Sequence, residues 1–255
     1  MSVDVIELRF AAGTPAATLR ELTGREERAI SGVGTADAIR LLDALLQWPA
    51  DERTGVRSAA DLTAADRDRL LAAVYQRAFG DRIENTLTCS QCAEPFDLHF
   101  SLSGLTHSIN SRAHQRAAPV APFRLPTGHD ELAMLGLKPD EAEALLLNRC
   151  TESGQWPGGP EAFQEMLDDM APLLDLELTA PCAECGRAHT VRFDIQSYLL
   201  GAFLGERRRL LTEVHRIAGA YGWSFDEILS LARTERRQLV ELIENETARR
   251  PRLSR

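Results

Sequence analysis

The chain writes one small device twice. "LTCSQCAEPFDLHFSL" spans 87–102 and "LTAPCAECGRAHTVRFDI" spans 178–195. Each copy opens on Leu-Thr, passes through Cys-x-x-Cys and a short polar turn, and ends in a strand-like run holding Phe-Asp. A zinc ion takes four ligands in a tetrahedron, at about 2.3 Å when they are sulfur. One Cys-x-x-Cys turn sets two thiolates on such an ion, and a second turn completes the shell. Cys89, Cys92, Cys182 and Cys185 are therefore the expected ligands of a single structural zinc. Each motif reads as half of a zinc ribbon, a knuckle at the tip of a short hairpin. Neither half is complete alone, so two distant stretches of chain have to meet.

Other readings of the cysteines compete with this one. A redox Cys-x-x-Cys sits at the start of a helix in a βαβ setting, and neither motif here leads into a helical pattern. A catalytic zinc keeps one position open for water, whereas four thiolates close the shell. Gly186 follows Cys185, where a left-handed backbone is easy; Ala93 holds the matching place after Cys92, which predicts a less regular first knuckle. His99 and His189 are substitute-ligand candidates, set against plain hairpin histidines. Cys150 ends the helix-like "DEAEALLLNRC" and reads as a small buried apolar residue.

Composition excludes several classes. Among 255 residues, 44% are hydrophobic and 26% charged, with a formal net charge of −9. That balance argues against a general phosphate-binding surface, so no nucleic-acid partner is expected. No apolar run approaches the roughly 20 residues of a membrane helix. "MSVDVIELRF" lacks a basic start before an apolar block, which predicts a cytoplasmic protein in a reducing compartment. There is no glycine-rich phosphate loop and no nucleophile elbow, so neither an enzyme nor a small-molecule substrate is expected.

The remaining segments are mainly helical, and the expected class is α+β: helices around a small ribbon-like β module. Residues 1–82 form an N-terminal helical region after a short strand in "DVIELRF". Thr23 with Glu26 is a capping box, "TADAIRLLDALLQW" is periodic, and Thr63 and Gly80 bracket another helix. The β module takes 83–103 plus 178–195. A helical insertion covers 104–177, opening on the loop-like "THSINSRAHQRAAPVAP". Its "HDE" at 129–131 cannot converge on one ion, because neighbours on a helix diverge by about 100°. Its acidic clusters read as solvated helix faces. Residues 196–248 form a C-terminal helical docking unit, and 249–255 are a basic tail. A long helix is expected over about 195–220 with Leu199, Phe203, Leu210, Leu211, Val214 and Ile217 in its apolar stripe. Arg207, Arg208 and Arg209 pair with Glu206 and Glu213 in this reading. Tyr221 and Trp223, at the helix turn, are candidate partner anchors, with burial inside the helical unit as the alternative.

The stretch "LLTEVHRIAGAYGWSFDEILSLARTERRQLVELI", with "LTGREE", "FRLPTGHDEL", "LLLNRC" and "FDIQSYL" in order along the chain, resembles baseplate proteins of contractile phage tails, in the family of the phage T4 baseplate hub component. The distinctive part is "EVHRIAGAYGWSFDEIL". The resemblance implies a structural or assembly role in a baseplate or a related injection system, with other tail proteins as partners. It carries no catalytic residues. A cytoplasmic zinc-ribbon module that contacts nucleic acid or a regulatory protein is the alternative. The ribbon strands carry few positive charges, which counts against it.

Overall fold

The computed structural model describes residues 4–11, 16–47, 56–113 and 122–249. The chain is mixed α and β, 56% helical, with small antiparallel sheets. Trp48 and all of the expected tail except Arg249 lie outside the described residues.

The N-terminal region opens with strands β1 (Asp4–Glu7) and β2 (Ala16–Leu19), and β2 also pairs with β3 (Leu46–Gln47). The last two strands were not expected. Between them, α1 (Gly24–Ala29) starts on the Thr23–Glu26 capping box, and α2 (Thr35–Leu45) buries Ile39, Leu41, Leu42 and Leu45. A 3-10 turn (Ala59–Asp61) leads to α3 (Ala64–Phe79). Thr63 caps α3, and Gly80 ends it at φ 92.

Two hairpins follow at a distance. The first pairs β4 (Arg82–Thr88) with β5 (Pro95–Ser101), and the second pairs β6 (Asp175–Pro181) with β7 (Ala188–Asp194). Each starts somewhat before the expected boundary. After β5 the chain runs directly into α4 (Leu102–Ala113), where a loop was expected. Leu102 is fully buried, and Asp81 accepts hydrogen bonds from the Ser103 N–H at 2.8 Å and the Ser101 hydroxyl at 2.6 Å. These contacts fix the start of a helix that has little apolar periodicity of its own.

Within the insertion lie α5 (Gly128–Met134), α6 (Pro139–Cys150) and α7 (Gly159–Met170). They close over a small core of Leu147, Cys150, Trp156, Phe163 and Leu167, so Cys150 is the buried apolar residue expected. Burial pushes its thiol up to about 11. The "HDE" side chains diverge as expected: His129 meets Asp61, Asp130 meets Arg124 and Arg149, and Glu131 meets Arg67. Asp130 itself corrects the solvated-face reading, because it is fully buried between its two arginines.

The main core lies where α8 (Ile195–Gly205) packs on α3, with Leu70, Leu71, Leu199 and Leu200 closed to solvent. The expected long helix is in fact two. It breaks at Gly205–Glu206, and α9 (Arg207–Tyr221) packs into a separate core of Leu210, Val214, Ile217, Ile228 and Leu229. Leu211 drops out of the apolar stripe and is 57% exposed. Gly222 ends α9 in the left-handed region, and Ser224 with Glu227 opens α10 (Phe225–Ser230). Arg233–Arg249 form α11.

A buried ionic knot ties this last unit to α1. Both oxygens of Glu27 accept from buried guanidiniums, Oε2 from Arg233 and Oε1 from Arg236, each at 2.5 Å. Arg236 also reaches Glu213, and Arg233 also reaches Glu206. Of the expected arginine run, only Arg209 pairs with Glu206 and Glu213; Arg207 donates to the Ile30 carbonyl.

Candidate metal centre

The hairpins are one unit built twice without a gap. Their strand registers superpose at a constant offset of 93 residues: Arg82 with Asp175, Cys89 with Cys182, Ser101 with Asp194. The N–H of Cys89 donates to the Glu94 carbonyl at 2.9 Å, and that of Cys182 to the Arg187 carbonyl at 2.8 Å. Each hairpin base is closed by the first residue of the next helix, Leu102 N–H to the Asp81 carbonyl and Ile195 N–H to the Leu174 carbonyl. The registers also revise the sequence match. Leu178-Thr179 is the counterpart of Asn85-Thr86 rather than of Leu87-Thr88, and Phe193 that of Phe100.

The first knuckle is as regular as the second. Ala93 takes φ 60 and Gly186 φ 72, and both turns close by the same N–H to cysteine carbonyl bond at 3.0 Å. The alanine thus pays a steric cost that the glycine avoids, about 1–2 kcal/mol for a β-carbon in that region. The expected irregularity is absent because the rest of the turn holds Ala93 in place.

The two knuckles meet tip to tip. Cys89 Sγ lies 3.6 Å from Cys185 Sγ, and Cys92 Sγ lies 3.7 Å from Cys182 Sγ. All four sulfurs fall within 4.8 Å of one another. Sulfurs at 2.3 Å from a central ion stand about 3.8 Å apart along the edges of a regular tetrahedron, so the spacing fits a metal of that size. Cys89 and Cys182 are buried, Cys92 is half-buried and Cys185 is exposed. The centre is therefore open to solvent on the Cys185 side. Leu87, Phe96, Leu98 and Ala180 form its apolar floor.

Electrostatics at the centre favour a cation. Backbone N–H groups, that of Cys92 first and then that of Gln91, together with His189, pull the Cys89 thiol down to about 5. Cys92 moves the other way: the Glu94 N–H acts to lower it, but burial and the sulfurs of Cys89, Cys185 and Cys182 outweigh that and leave it at about 12. Cys185 is also raised, the Arg187 N–H being outweighed by desolvation and the sulfurs of Cys89 and Cys182. Four thiols at this spacing cannot all ionise unless a positive charge stands among them.

His189 belongs to the surroundings of the centre. Its Nε2 lies 3.3 Å from Cys89 Sγ, and its ring packs on Phe96 at 5.0 Å between centroids. An N–H to sulfur bond of this kind orients a ligand and spreads its charge. The readable signal was strand alternation: 189, 191 and 193 share the inward face of β7. His99, on the exposed face of β5, pairs across from Glu84 and takes no part. Tyr221 and Trp223 are 42% and 40% exposed, with rings 5.3 Å apart, so burial inside the helical unit does not account for them. Phe225 continues the patch, with the Arg28 guanidinium 4.6 Å from its ring centre.

Among the described residues, no helix is long and apolar enough to cross a membrane. Comparison of the chain with family models, with curated proteins and with solved structures finds no match.

Proposed function

We propose that the chain is a structural or assembly protein of the baseplate of a contractile phage-tail-like particle or injection system, held rigid by a structural zinc in a zinc-ribbon-like module. One observation supports the reading most: thiols from two remote hairpins stand at tetrahedral spacing and leave no open position for chemistry. Cys89, Cys92, Cys182 and Cys185 would hold the ion, and His189 would orient Cys89. When bound, zinc supplies folding free energy, on the order of 10 kcal/mol in small structural sites. The clip fastens β4–β5 to β6–β7, and through them the α3–α8 core to the insertion between the hairpins. A rigid body of this kind lowers the ordering cost of docking onto neighbours. Tyr221 and Trp223 are the proposed anchors for those neighbours, since exposed aromatics dominate interface energetics.

Elemental analysis of freshly purified, reduced protein tests the clip. One zinc per chain is expected, and Cys185→Ser should lose it together with much of the thermal stability. Metal content near zero would sink the clip. Capture of tail or baseplate subunits from producing cells, weakened by a paired Tyr221→Ala and Trp223→Ala variant, tests the assembly role. Tight retention on heparin at low salt would instead favour the nucleic-acid alternative.

A further inference from the structure

The two hairpins leave a groove of about 410 Å³ between them. One wall is the inner face of the first hairpin: Ile83, Asn85, Leu98 and Phe100. The other is the consecutive run Val191, Arg192, Phe193 and Asp194 of β7. Successive strand residues point to opposite faces, so four in a row can border a groove only when the strand presents its edge to it.

That edge is open. The bonds from Ile195 N–H to Leu174 and from Cys182 N–H to Arg187 set the pairing phase of the second hairpin. Residues 189, 191 and 193 bond toward β6, which turns the N–H and C=O groups of Thr190 and Arg192 outward. Among the described residues these groups have no partner, and β7 pairs with β6 alone. The outer edge of β4 is already occupied: the Tyr75 hydroxyl donates to the Arg82 carbonyl and the Tyr198 hydroxyl to the Glu84 carbonyl. The edge of β5 begins at Pro95, which has no N–H, and borders no such groove.

We propose that the β7 edge and the groove beside it dock an extended segment of a partner protein, which adds as a third strand. Its alternate side chains enter the groove over Leu98 and Phe100 and are apolar. The intervening ones lie on the outer face beside Thr190 and Arg192. Arg192 is 73% exposed there, and its Nε and Nη2 bind Asp175 while Nη1 has no partner among the described residues. A carboxylate therefore suits the strand position opposite Arg192, as a cross-strand charge pair. The partner chemistry is thus an alternating apolar and polar segment with an acidic residue at its centre, bound mainly through its main chain. The surface depends on the metal-clipped pair of hairpins and not on the tail-assembly reading.

The test uses the full-length, metal-loaded protein and a short capped peptide of valine alternating with threonine, with one central glutamate. Backbone amide exchange is followed by NMR. Binding should slow exchange at Thr190 and Arg192. Arg192→Glu should weaken the peptide about tenfold, and replacing the central glutamate with lysine should restore binding to that variant. Metal content reports separately on the clip. The proposal is overturned if millimolar peptide leaves both amides unprotected, if protection falls on Asp97 and His99 of β5 instead, or if the charge swap fails to rescue. Protection that rises with protein concentration in the absence of peptide would assign the edge to a second copy of the chain and overturn the partner reading as well.

Discussion

Replacing Glu27 by alanine should unfasten the C-terminal unit. The carboxylate is 4% exposed and its oxygens hold Arg233 and Arg236, themselves 6% and 0% exposed. Removing one member of a buried pair costs about 3–5 kcal/mol, because the partner charge stays behind without compensation. Here two guanidiniums lose a partner, but Glu206 and Glu213 remain beside them, which keeps the expected loss within that range. At about 2–4 °C per kcal/mol for a chain of this size, the melting temperature should fall by roughly 10 °C. The loss should also be local. Polar contacts join α1 and its flanks to the last unit: Arg233 N–H meets the Leu22 carbonyl, Thr234 meets Glu21, and Arg207 meets the Ile30 carbonyl. Limited proteolysis should therefore cut near Gly205–Glu206 in the variant while zinc stays bound. A double-mutant cycle of Glu27→Ala with Arg236→Met separates the pair from simple packing. A stability loss under about 1 kcal/mol, or coupling near zero, would refute the argument that this carboxylate joins the two bodies.

Ala93→Gly should stabilise the protein by about 0.5–1 kcal/mol in chemical denaturation, and Gly186→Ala should cost about as much, since both positions lie at positive φ; equal and null effects would mean the turns are not strained. Asp130→Asn should cost about 3 kcal/mol by the same measurement, because Arg124 and Arg149 both bind that carboxylate. Burial pushes the Asp68 carboxyl up to about 7, well above the ordinary carboxylate range, against a hydrogen bond from the Leu174 N–H. The folded chain therefore holds a proton there that the unfolded chain has already released. The resulting stability is full below pH ~4 and is lost as pH rises through about 7. Denaturation at a series of pH values should show that slope, and Asp68→Asn should flatten it.

Sequence revealed most where structure is local. The capping box at Thr23, the cap at Thr63 and the positive-φ stop at Gly80 depend on residues within a few positions of the backbone they end. The four-thiol cluster was legible because two matched Cys-x-x-Cys turns have the spacing that a shared tetrahedral ion requires. What stayed hidden depends on remote partners. The two-residue β3 exists only because β2 lies beside it, and α4 starts where Leu102 finds a buried place. Asp130 looked like a surface acid because Arg124 and Arg149, 6 and 19 positions away, bury it from outside its own helix.

The constant separation of the twin knuckles has a consequence during synthesis. Chains emerge at about 5–20 residues per second, so Cys89 and Cys92 leave the ribosome several seconds or more before Cys182 and Cys185 follow. Through that interval the early thiols have no mates, and an ion caught by them can hold only half its shell. On the zinc reading, closure of the centre is thus a late step, timed by translation of the intervening helices, and it coincides with the emergence of α8, which the α3 core also needs before it can close.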